Sequence, residues 1–118
     1  MVEPFGPGTL DGVSAADLAG AAGRAARLLR LMGHDARLMI LCHLADSEQH
    51  VGALEAKLGL SQSALSQHLA RLRGEGLVAT RRSGQQIFYR LASAEAARIL
   101  AALHEVYCPI PAGDGAPS

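Results

Sequence analysis

The stretch Gly59-Leu60-Ser61-Gln62-Ser63-Ala64-Leu65-Ser66-Gln67-His68-Leu69-Ala70-Arg71-Leu72-Arg73 decides how this chain is read. Ser61 is a good helix N-cap, because its side-chain oxygen can accept one of the backbone N–H groups that a first helical turn leaves unpaired. Leu60 can staple onto Leu65 and fix the angle at which the chain enters the helix. Leu65, Leu69 and Leu72 recur at helical spacing and face inward. The outward positions Gln62, Ser63, Ser66, Gln67, Ala70 and Arg71 carry short side chains in place of the Glu/Lys pairs of an ordinary solvated face. Gln and Ser can bond base edges in a DNA major groove without bulk, and Arg can bond phosphate or guanine.

The flanking residues extend the pattern in both directions. Upstream, His50 to Leu58 reads as a short helix with Val51, Leu54 and Leu58 inward, closed by Gly59. Downstream, Leu77-Val78-Ala79-Thr80-Arg81-Arg82, a Ser83-Gly84-Gln85 turn and Gln86-Ile87-Phe88-Tyr89-Arg90-Leu91 predict a β-hairpin with an arginine-rich tip, in which Ile87, Tyr89 and Leu91 alternate. A short helix, a tight glycine turn, a capped polar helix and a basic hairpin make a winged helix-turn-helix, mainly α with a β-hairpin wing.

Further out, Ser14 can cap a helix to about Met32, with Leu18, Ala22, Ala25 and Leu29 at helical spacing. Asp35 can cap the next to about Ala45, where Leu38, Leu41, Cys42 and Ala45 form the inward stripe. Ser93 can cap a last helix to about Tyr107, which Pro109 limits. That helix is apolar nearly all round, and in so small a domain such a helix needs a second burying surface, as a partner subunit supplies. The proline- and glycine-rich ends, residues 1–13 and 109–118, read as disordered tails around one domain over 14–108.

A chain of 118 residues has room for one core. Aromatics make up only 3% and tryptophan is absent, so Leu, Ala, Val and Ile must build that core, a composition that favours helices. No run approaches the ~20 apolar residues of a membrane span, and the start lacks the regions of a signal peptide, so a cytoplasmic protein without membrane contact is expected. The net charge of zero conceals an uneven spread: residues 61–90 hold five arginines against the single acid Glu75, a local charge of +4. No glycine-rich phosphate loop, paired-carboxylate motif or Cys-His-Asn context is present, so neither an enzyme nor a cofactor is expected. A winged helix serving only protein–protein contacts would lack the wing arginines and carry bulky acids outside 61–73; this chain shows the reverse.

From Ala36-Arg37 through Leu91, about half of the chain, the sequence resembles the ArsR/SmtB repressors, on three features in order. These are the Ala-Arg opening of the second helix, the Ser-x-x-Ser-x-His-Leu pattern of Ser63 to Leu69, and the Leu77-Val78 entry to the wing. The resemblance implies a homodimer built on the first and last helices, bound to near-palindromic double-stranded operator DNA and released by an inducer. It implies DNA-facing roles for Ser61, Gln62, Ser63, Ser66, Gln67, His68 and Arg71 on the recognition helix, and for Arg81, Arg82 and Gln85 in the wing.

The departures from the family pattern concern the inducer. Soft-metal sensors carry Cys-x-Cys on the third helix, where this chain has His50-Val51-Gly52; the zinc site of the last helix lacks its first half, so no metal site is intact. Instead Cys42 lies in the second helix and Cys108 ends the last. That pairing resembles the sulfide- and persulfide-responsive SqrR/BigR branch, which implies that reactive sulfur links Cys42 to Cys108 within one subunit through a short sulfur chain. Three other readings stand beside it. The thiols can be core filler, since free cysteine is often buried. They can form a plain disulfide under general oxidants, or join His104 in a metal site that would still want a fourth ligand. A helix C-terminus disfavours a Cys108 thiolate, whereas a protonated His104 one turn earlier favours it, so the two effects oppose.

Overall fold

A computed structural model of the chain describes residues 14–108, and both expected tails lie outside the described residues. The chain divides into two compact units, one ending at Arg30 and one beginning at Leu31.

The first unit holds α1 (Ala15–Ala19) and most of α2 (Ala22–Met32). Ser14 caps α1 as expected, accepting the Asp17 N–H at 3.1 Å. One helix over 14–32 was expected, but the chain turns at Gly20-Ala21. Glycine costs about 1 kcal/mol in a helix interior, and with Gly20 and Gly23 so close the run breaks although the Leu/Ala spacing passes across it.

The second unit is organised around α3 (Asp35–Asp46), which packs against α4, α5, α6 and the wing strand β3, whose spans follow. The N-cap of α3 is His34 rather than Asp35: the His34 Nδ1 accepts the Ala36 N–H at 3.1 Å, and Asp35 sits in the first turn, where the helix dipole favours its charge. The buried face is Ile40, Leu41 and Leu44, with Leu38 and Cys42 half-buried and Ala45 exposed. It is turned from the expected stripe because α3 has neighbours on several sides, so its apolar face is broader than one row.

Gln49–His50 form a short strand, β1, which then leads into α4 (Val51–Leu58). His50, expected as the first helical residue, is the N-cap; its Nδ1 accepts the Ala53 N–H at 3.3 Å. Gly59 ends α4 at φ 68°, a left-handed conformation that glycine adopts without a Cβ clash. α5 (Gln62–Gly74) starts from Ser61, which accepts the Ala64 N–H at 3.1 Å, and buries Leu65, Leu69 and Leu72 almost completely.

β2 (Val78–Ser83) and β3 (Gln86–Leu91) pair antiparallel from Val78↔Leu91 to Ser83↔Gln86, turning through Gly84 at φ 64°. β1 adds to the far side of β3 through Gln49↔Tyr89 and His50↔Phe88, giving the sheet order β1-β3-β2. The expected hairpin is thus a three-stranded antiparallel sheet. α6 (Ala94–Tyr107) follows with Ser93 as its cap and sinks Ala96 and Leu100 into the core.

Candidate nucleic-acid interface and dithiol site

The burial of Leu65, Leu69 and Leu72 fixes what α5 shows to solvent. Ser61, Gln62, Ser63, Ser66, Gln67 and Arg71 are all exposed. Ser61 spends its acceptor on the cap, which leaves its hydroxyl hydrogen to donate. Arg71 stands 3.9 Å from Glu75 at i,i+4, a loose pair with the arginine side chain 62% exposed.

His68 is placed differently from its neighbours. It is half-buried, and its ring stacks at a tilt on His34 with centroids 4.7 Å apart, joining α5 to the start of α3. Burial, with His34 and Arg37 close by, pushes its pKa below the usual histidine value, which favours the neutral ring.

In the wing, Arg81, Arg82 and Gln85 are all exposed. Adjacent strand residues point to opposite faces, so the two arginines diverge. Arg81 is engaged by Glu48 and by the Phe88 ring, while no partner for Arg82 occurs among the described residues. Sequence reasoning missed Glu48 and its neighbour Gln49. Glu48 precedes, and Gln49 opens, a two-residue strand that makes no local pattern, and only the pairing of that strand to Phe88 and Tyr89, far along the chain, gives them a place.

Both thiols are free, with Cys42 half-buried on α3 and Cys108 exposed at the end of α6. The packing of α3 on α6 brings Cys108 close enough for its charge to act on Cys42. Burial first, then Cys108 and Asp46, raise the Cys42 pKa above the ordinary 9.0. The thiol reading thus has two groups of unequal exposure, the exposed one acting electrostatically on the half-buried one. The alternative Cys42, Cys108 and His104 site is not assembled: no group of three or more His, Cys, Asp or Glu placed to hold a metal occurs among the described residues. No described helix is long and apolar enough to cross a membrane.

A capped polar helix beside an arginine-bearing wing defines a DNA-binding regulator of the winged helix-turn-helix class. Residues 34–80 match the model of the bacterial regulatory protein, arsR family. The transcriptional activator HlyU of Vibrio cholerae is 52% identical over 85 residues, 72% of this chain and 79% of the relative. The structure of reduced HlyU superposes with a TM-score of 0.74 at 48% identity, covering 78% of this chain and 97% of that one. The biofilm growth-associated repressor of Xylella fastidiosa is 41% identical over 108 residues, 92% of this chain and 95% of the relative. The crystal structure of that repressor, BigR, gives a TM-score of 0.78 at 43% identity over 81% of this chain and 98% of that one. The chain belongs to the ArsR family of winged-helix transcriptional regulators, and its relatives are regulators rather than enzymes.

Proposed function

We propose that the protein is a homodimeric repressor that holds near-palindromic operator DNA while Cys42 and Cys108 are reduced, and releases it when reactive sulfur links them. The observation that carries this reading is the dithiol itself: one exposed thiol and one half-buried thiol, on two packed helices, with Cys108 close enough for its charge to act on Cys42. The similarity to BigR favours repression, although HlyU is called an activator.

The chemistry balances with a hydrogen polysulfide as oxidant. The Cys108 thiolate attacks an inner sulfur and expels sulfide, leaving Cys108 with a chain that ends in a perthiol. The Cys42 thiolate then attacks the penultimate sulfur of that chain and expels a second sulfide. Two thiols have been oxidised and two polysulfide sulfurs reduced, and the remaining sulfurs stay in the link. A direct disulfide requires Cα atoms within ~7 Å, whereas inserted sulfurs lengthen the reach, so distance selects the oxidant.

DNA is read by Gln62, Ser63, Ser66 and Gln67 on α5, with Ser61 and Arg71 supporting from near its ends, the half-buried His68 from mid-helix, and Arg82 and Gln85 from the wing. The buried Gln49 carries the signal outward. Its side-chain N–H donates to the His43 carbonyl at 3.0 Å, near the end of the helix that bears Cys42, and its backbone pairs with the wing strand β3. Dimerisation uses the exposed Val106 and Tyr107 of α6 and, in the other unit, Leu18 and Leu29, apolar surface that a lone chain leaves in water.

The test is the intact mass after hydrogen polysulfide treatment of the reduced protein. A gain of whole sulfur atoms less two hydrogens, with no free thiol left, supports the linked state. An unchanged mass refutes it, and loss of two hydrogens alone assigns a plain disulfide.

A further inference from the structure

Arg81, Phe88 and His50 form one cross-strand row on one face of the sheet, whereas Arg82 lies opposite Ile87 on the other. The Arg81 guanidinium stands 4.8 Å above the centre of the Phe88 ring, and that ring meets His50 edge-on at 5.6 Å. Glu48 closes over the guanidinium from the loop before β1. Arg81 Nε lies 2.9 and 2.8 Å from the two carboxylate oxygens, and Nη2 lies 2.8 Å from Oε1.

The carboxylate is itself anchored. Gln49, the next residue, is only 6% exposed; besides its bond to the His43 carbonyl it accepts the Lys57 ammonium at 2.5 Å. The arginine fork is therefore tied to a segment fixed on α3 and α4, the elements that also carry the recognition helix.

We propose that Glu48 and Arg81 brace the wing. Arg81 sets the wing's position against the helix-turn-helix and neutralises no phosphate, while Arg82 on the opposite face carries the wing's charge to DNA. A phosphate approaching Arg81 would meet a guanidinium whose Nε and Nη2 are already held and whose charge is already offset by a carboxylate, and would stand beside that anion. Glu48 is thus a positioning residue for DNA binding. This inference rests on the family's DNA-binding role and is independent of the dithiol.

The experiment measures affinity against salt for the reduced protein, using a duplex that the wild-type protein has selected from a random-sequence pool. Each phosphate neutralised contributes ~0.9 to the slope of log affinity on log salt. Arg82→Gln is expected to lower the slope by about that amount. Arg81→Gln is expected to keep the wild-type slope and bind several-fold more weakly at every salt concentration. Glu48→Gln is expected to weaken binding to the same degree although it makes the chain less negative, and the exchanged pair Glu48→Arg with Arg81→Glu to recover most of the loss. A fall in slope for Arg81→Gln, tighter binding by Glu48→Gln, or no recovery by the exchanged pair would each overturn the brace.

Discussion

Cys42 and Cys108 have the same chemistry and unequal surroundings, and the inequality sets the order in which they react. The thiolate is the nucleophile, so burial and a raised pKa slow Cys42, whereas Cys108 stands in solvent. Iodoacetamide followed by peptide mapping should label Cys108 first at neutral pH, and the Cys42 rate should keep climbing beyond pH 9.0, the ordinary thiol value. Equal labelling of the two would remove this asymmetry. His68 gives a second expectation, on stability. Its folded pKa is lowered, so below about 6.5 the unfolded chain takes up a proton that the folded chain resists. Stability should hold above that pH and fall as pH drops towards the folded value. His68→Gln should flatten the fall in melting temperature between neutral and mildly acid pH. At this scale the sequence pointed to candidate residues more readily than to how they are held. The cysteines stood out by resemblance, but the stacking of His68 on His34 joins residues 34 positions apart, which no local spacing announces.

Capping and burial position α5, and each can be removed separately. Ser61→Ala should cost about 1 kcal/mol by denaturant unfolding, because it orphans the Ala64 N–H at the helix start. Leu69→Ala, at a side chain only 1% exposed, should cost about 2–5 kcal/mol by opening a cavity beneath the same helix. Gln62→Ala and Gln67→Ala sit outside both supports, so they should relax sequence preference in a binding-site selection and leave stability unchanged. α5 and the hairpin were legible because a cap, a 3.6-residue period and a two-residue alternation are all local signals. β1 was not, since two residues have no period and their strand character comes entirely from Phe88 and Tyr89. The break between α1 and α2 was missed for another reason: apolar spacing records which face is buried and does not register two glycines that weaken the backbone.

For the whole molecule, α6 divides its apolar residues between two destinations. Leu100 is 6% exposed and belongs to the core of the single chain, so Leu100→Glu should unfold it. Val106 and Tyr107 are 66% and 76% exposed, so Val106→Glu or Tyr107→Glu should leave the fold and give a monomer by sedimentation, with operator affinity reduced. The nearly all-round apolar character of α6 called for a second burying surface, but only the fold separates the residues that fill the core from those left exposed. The proposed dimer would read two half-sites about one helical turn apart, so a small change at α6 would alter the spacing of its two recognition helices. The most direct test is fluorescence anisotropy on a wild-type-selected duplex, before and after hydrogen polysulfide, for the wild type and for Cys42→Ser and Cys108→Ser. All three reduced proteins should bind equally, with the treated wild type alone releasing DNA as its mass gains sulfur. Release by treated Cys108→Ser, or retention by a wild type whose mass shows the link, would contradict sensing through this pair.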